Sequence, residues 1–276
     1  MSASAVWSDS SSLNTAADTA LRLAAQFWFL VAVTGQWIFV FYVAVAYGRS
    51  APQGDFEAWN RVMPNGHLPG DTVGNIAIGV HLLLAVVIMA GGPLQLVPSI
   101  RRRFPRFHRW TGRFYIPAVV LTSIAGLYMI WGRPRSAGHL VQHLGISLDA
   151  VLIVVFAALA LRYALARKLK THSEWALRLF MVVNGVWFFR VGLMFWIAVN
   201  GGPAGFNPKT FTGPALDVLS FADYLLPLAM LELYRLTKER AGTRGRFAMA
   251  ATLVLLTLAM GAGIVIAAIG MWLPRI

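Results

Sequence analysis

The sequence predicts an all-α fold: a polytopic membrane helix bundle of seven transmembrane helices, with the N-terminus in and the C-terminus out. Three observations predict it. Hydrophobic residues make up 58% of the 276 positions and charged residues 13%, about half the charged share of a soluble domain. The apolar residues come in blocks near twenty long, the length that crosses a bilayer, where a soluble core alternates more finely. Lys and Arg are gathered in short connections between those blocks, as they are on the cytoplasmic side of membrane proteins.

Taken in order, residues 1–21 are Ser- and Ala-rich with no basic start. They do not form a cleavable signal peptide and are expected as a disordered tail. Residues 22–276 form one membrane-embedded helical domain, with its core bundle at about 73–199. The spans fall near 23–47, 73–97, 107–132, 140–165, 175–199, 216–236 and 247–273. A long Pro- and Gly-containing loop follows the first span (Pro52, Gly54, Pro64, Gly66, Pro69, Gly70), and a Gly/Pro-rich loop precedes the sixth. Gly91-Gly92-Pro93, Pro117 and Pro227 each free a backbone carbonyl and are expected to bend their helices. Ala259, Gly263 and Ala267 recur every four residues, a small face suited to close helix packing and to docking of a partner subunit.

The stretch 101–115, RRRFPRFHRWTGRFY, sets the orientation: it holds six arginines in fifteen residues and cannot sit in hydrocarbon. The connections after spans two, four and six carry nearly all the basic residues. Those after one, three and five hold only Arg49, Arg61, Arg133, Arg135 and Lys209. By the positive-inside rule the first set is cytoplasmic, and the protein is a multi-pass protein of the cell inner (plasma) membrane.

The net charge of +13 is accounted for by these loops, which touch the lipid bilayer and its anionic headgroups; a nucleic-acid partner is not implied. There is no Cys, which excludes disulfides, Cys-ligated iron–sulfur clusters and a thiolate nucleophile. GxSxG, a Walker loop and GxGxxG are absent, so hydrolase and nucleotide readings have no footing. His139 and His143 share a helix face, but HLVQH lacks the Glu of a zinc protease.

Ionisable residues at membrane depth are costly and face a bundle interior. Asp149 in span four and Arg190 in span five each lie nine residues from the outer loop, roughly 13 Å deep at about 1.5 Å per residue. Equal depth predicts a buried pair, with Asp223 of span six as a second partner. This intramembrane polar layer reads as a lock on the bundle or as the site of a cofactor-free transporter or small-molecule-binding bundle.

Four histidines carry the other candidate chemistry. His81, His108, His143 and His172 sit on spans two to five, alternately near the outer and the inner end. Facing helices then hold two His pairs, one per leaflet, as bis-His ligation of b-type haem requires. Gly112, Gly145 and Gly185 offer room for a porphyrin, and Arg109, Arg113 and Arg178 can pair with haem propionates or lipid phosphates. His108 shares a face with Gly112 and Tyr115, and His172 is followed at helical spacing by Trp175 and Arg178. Pro105 suits a first helical turn, and Thr171 is a candidate cap. Because His108 and His172 stand among Arg and Lys, an inner haem is exposed unless the helices extend inward.

The layout resembles the transmembrane cytochromes b that pass electrons from ascorbate, where four histidines on four successive helices bind two haems. That resemblance implies haem b, with a quinone or another redox partner. The strings HLLLAVVIMAGGPLQ, HRWTGRFY and THSEWALR, in that order, resemble an uncharacterised bacterial family of predicted multi-spanning membrane proteins, a domain of unknown function. The similarity runs from His81 to Arg190, and its recurring elements fall on His81, Gln95, His108, Arg109, Gly112, Arg113, Tyr115, His172, Trp175, Arg178 and Arg190. A His at the position of His143 is not part of that pattern, so the resemblance favours a site on His81 or on the inner pair. It implies a fold and a membrane location without a reaction.

Overall fold

The computed structural model describes residues 3–61, 65–133 and 138–276, and the side chains of these apart from 3–11 and 61. Pro64 and Arg135 lie outside the described residues, as does the side chain of Arg61. Among the described residues the fold is helical throughout, with nine α-helices and no strand: α1 Ala3–Ser50, α2 Thr72–Leu96, α3 Pro98–Arg103, α4 Pro105–Trp131, α5 Leu140–Leu165, α6 Leu169–Val183, α7 Gly185–Asn200, α8 Pro214–Arg240 and α9 Thr243–Ala267.

Five helices are long and apolar enough to cross a membrane, and the bent pair α6–α7 makes a sixth. The sixth expected span, 216–236, falls on α8, which has 27 residues, about 40 Å of helix. Asp217, Asp223, Glu232 and Arg235 make it too polar to count on composition. It nevertheless runs the length of the bundle, from Asp217 beside His139 (3.5 Å) to Arg235 beside Glu174 (3.1 Å). His139, which caps α5, and Arg178 and Glu174 of α6 partner Asp217, Glu232 and Arg235, which lets the helix carry these three charges.

The expected tail is helical instead from Ala3 onward. Ala17, Leu21 and Ala24 recur at helical spacing and are buried, Leu21 and Ala24 against Met249, Ala250 and Leu253 of α9. An apolar stripe therefore continues through a stretch that its serines make look polar. Asp18 pairs with Arg246 at 2.8 Å near one end of α1, and Arg49 donates to the Ile276 carbonyl at 3.2 Å near the other. Thus α1 and α9 run parallel, and the two termini lie at opposite ends of the bundle.

The basic connection is two helices meeting at Phe104, with Pro105 in the first turn of α4. The end of the bundle that carries it is called the arginine end below. Helix α6 starts at Leu169 with Lys168 as its cap, so Thr171 lies inside the first turn and does not cap it.

The helices α2, α4 and α8 continue through Pro93, Pro117 and Pro227. The sharp break comes at Asn184, where α6 and α7 diverge by 48°. Gln36 of α1, fully buried, donates to Asn184 Oδ1 at 3.1 Å, and Asn184 donates to the Phe180 carbonyl at 2.7 Å. The side chain thereby takes up a carbonyl at the end of α6 that no longer has a helical donor. Before the break the chain packs on α5, and beyond it on α9 and α8.

The small face of α9 is used within the chain. Gly263 and Ala267 are buried, and a Cβ on Gly263 would lie 2.6 Å from the Val191 carbonyl oxygen of α7. It is a contact between α9 and α7, not a docking face for a partner. Gly263→Leu is expected to lower the thermal unfolding temperature in detergent by several degrees, since α7 must move away. Gly270→Leu, whose Cβ meets only the Met194 methyl at 3.4 Å, should leave it unchanged.

Candidate functional site

At the arginine end, α2, α3, α4, α5 and α6 enclose a cavity of about 470 Å³, lined by His108, His172, Arg101, Arg109, Arg113 and Tyr115 among others. That volume is in the range of small-molecule and cofactor sites, about 300–1,000 Å³. Helix α4 sets the floor. His108 stands one turn from Pro105, and Gly112 one turn further, where an added Cβ would meet only Gln95 Oε1 at 3.7 Å. Gln95 donates to the Thr111 hydroxyl, which ties α2 to α4 beside the cavity.

The two imidazoles are held differently. His172 Nδ1 lies 2.9 Å from the Ala160 carbonyl of α5. A carbonyl only accepts, so Nδ1 carries the proton and Nε2 keeps its lone pair. His108 Nδ1 is buried and has no partner among the described residues. The rest of the lining includes Ile116, Ala160, Leu161, Ala164, Leu165 and Leu177, so the polar groups project into a largely apolar chamber.

Trp175 and Arg178, expected beside these histidines, are not in the lining. Trp175 packs on Phe156 at 5.3 Å. Arg178 stacks over the Trp175 ring at 4.6 Å and forms a two-pronged pair with Glu232 of α8 at 2.7 and 3.0 Å. Both side chains fasten α6 to its neighbours.

The outer pair does not form in the same way. His81 Nδ1 meets the Thr122 carbonyl at 3.0 Å and faces a cavity of about 130 Å³ shared with Asp149 and Arg190. That space suits a few waters rather than a macrocycle. His143 is buried edge-on against Trp131 at 5.3 Å and is not in that lining.

Nor does the expected Asp149–Arg190 ion pair occur among the described residues. Arg190 donates to the Val186 carbonyl of its own helix at 3.0 Å and lies over Phe39 at 5.4 Å. Asp149 instead abuts the start of α7, where a Cβ on Gly185 would be 2.9 Å from Asp149 Oδ2, and its Oδ1 is buried without a partner. Equal depth was not enough, because the break at Asn184 sends α7 toward α9, away from α5.

Three structural residues escaped the sequence reading. Gln36 has no marker beyond a lone amide in an apolar span. Asn184 is followed by Gly185, a dipeptide that favours turns, inside an otherwise apolar run. Arg133 was counted only as a loop charge. Its side chain is 4% exposed and holds the loop to α4 by donating to Asp71 at 2.6 Å, the Asn65 carbonyl at 2.5 Å and Asn75 at 2.7 Å.

A helical bundle of membrane-crossing length, with a histidine- and arginine-lined chamber at one end, defines the class: a multi-spanning membrane protein. The chain belongs to the family described as Predicted membrane protein (DUF2306), matched over residues 78–222, just over half its length. The matched segment contains His81, His108, His143 and His172. No curated protein and no solved structure matches the chain.

The Arg133 cluster generates a pH prediction. The Arg133 guanidinium, and then the Gly74 N–H, hold the Asp71 carboxyl below the usual carboxylate range. A lowered folded-state pKa contributes stability above the unfolded value of about 3.9, lost as pH falls through the folded one. Asp71→Asn should therefore lower the unfolding temperature at pH 7, and the gap from wild type should shrink in acid below about pH 3.9. A gap constant with pH would show that the ion pair contributes nothing.

Proposed function

We propose that the chain is a membrane redox protein that binds one b-type haem between His108 and His172 at the arginine end. The observation that carries the reading is that these two imidazoles, from α4 and α6, line one apolar chamber of about 470 Å³ together with Arg101, Arg109 and Arg113. The volume and the donors fit the group. His172 has the backbone-bound Nδ1 that orients a ligating Nε2. His108 has a buried ring nitrogen with no partner, and the three arginines match two carboxylates. Gly112 leaves the adjoining turn without a side chain.

When bound, the haem supplies one-electron transfer at the membrane edge. The residues of the chain do the rest. The Ala160 carbonyl orients His172, the arginines would pair with the acidic edge, and Leu177 and Ile116 supply apolar wall. The earlier expectation of two stacked haems reduces to one, because the His81 cavity is too small and His143 is turned to Trp131.

The arginine end faces the cytoplasm of the inner membrane on the positive-inside rule. A quinone is the proposed redox partner. A groove of about 300 Å³ between α2 and α4 shares Gln95 and Tyr115 with the chamber and is walled by Trp110 and Phe114, both exposed. A lipid-borne ring could thus reach the chamber's edge from the bilayer.

Protein purified from haem-replete cells should carry a sharp Soret band that shifts on dithionite reduction. His108→Ala and His172→Ala should each remove most of the bound haem, while His143→Ala retains it. A colourless full-length preparation, or a band indifferent to both inner substitutions, would overturn the reading.

A further inference from the structure

A second cavity, of about 400 Å³, lies among α1, α6, α7, α8 and α9, where α8 and α9 pack only sparsely. Its walls are apolar and rich in aromatic rings, with Trp28, Phe180, Phe188, Phe195 and Met260 among them. One acidic side chain lines it among the described residues: Asp223, from the middle of α8. Asp223 Oδ1 is buried and has no hydrogen-bond partner among the described residues. No ion pair to Asp223 occurs among them either, although Asp217, Glu232 and Glu174 all find basic partners.

An acid without an ion-pair partner in an apolar, ring-lined chamber at membrane depth is costly. Tightening the bundle would have removed the space, and any apolar residue would have filled it at less cost. The cost is offset by an occupant that brings the opposite charge on an apolar body. Aromatic faces also attract a cation by their ring quadrupoles, and more so when it is desolvated. Asp149 lies close behind, on α5: it and Tyr224, the neighbour of Asp223, both abut Gly185. The chamber therefore combines shape, an apolar lining and a carboxyl group that a bound cation would hold ionised.

We propose that this chamber binds a lipophilic cation: an amine or onium group carried on an apolar or aromatic body. The cation sits at Asp223, and the rings of α6 and α7 enclose the body. The site is separate from the histidine chamber and does not depend on haem.

Equilibrium dialysis of the full chain in detergent with tetraphenylphosphonium tests it. Saturable binding near one site per chain is expected, with the anion tetraphenylborate, of the same shape, failing to bind. Asp223→Asn should weaken binding by roughly tenfold or more, as loss of a charge-assisted contact does, while Asp217→Asn on the same helix should not. Should Asp223→Asn fail to fold, Ala259→Phe decides the matter, because it fills the chamber and should abolish binding. Equal uptake of the borate, or phosphonium binding unchanged in the variant that folds, would overturn the proposal. Haem loading, read from the Soret band, is independent of every one of these outcomes.

Discussion

The hydrogen bond from Gln36 to Asn184 holds the bundle together at its least regular point. In hydrocarbon a backbone group without a partner has no water to turn to, so a helix that breaks at membrane depth must be repaired from within the chain. Asn184 repairs α6 by donating to Phe180 and is itself held by an amide from α1. Removing one partner of such a buried pair leaves a desolvated group, at about 1–3 kcal/mol. The bend this permits lets one span serve two neighbourhoods: α6 stays with α5 and closes the histidine chamber, while α7 crosses to α9 and borders the aspartate chamber.

Much of the architecture was legible in the sequence because bilayers impose lengths and charges directly. Blocks near twenty residues became helices, and the arginines of 101–113 clustered at one end. His108 and His172, placed by counting at the same end, do share a chamber. Side-chain partnerships were not legible. Asp149 and Arg190 have equal depth, but depth says nothing of azimuth or of which helices touch, and the break at Asn184 decided that. Arg178 looked available for an acidic ligand because its partner, Glu232, lies 54 residues on. The prolines drew attention as breakers, yet their helices run on, while the Asn-Gly pair that marks the real break went unread. The first twenty residues looked polar because serines outnumber the few buried small side chains that hold them to α9.

The molecule thus has two ends and a middle of different character. At one end arginines and histidines line a chamber of about 470 Å³. In the middle, Asp149 and Asp223 keep carboxyl oxygens without hydrogen-bond partners, each at a cavity. At the far end Arg133 gathers the loop before α2 into a fixed cap. The Arg133 guanidinium there has a partner at each of its three nitrogens, as a structural cluster should. Among the buried side-chain atoms without a hydrogen-bond partner, His108 Nδ1, Asp149 Oδ1 and Asp223 Oδ1 belong to residues that line cavities, and this is the reason to look for ligands there.

Electron paramagnetic resonance of the oxidised, purified protein tests the pairing of His108 with His172 most directly, because the spin state of ferric haem reports both axial ligands. A purely low-spin signal that turns high-spin when either histidine is replaced is the predicted result. A high-spin signal in the wild type, or no iron signal at all, would contradict the claim that the two imidazoles meet at one site.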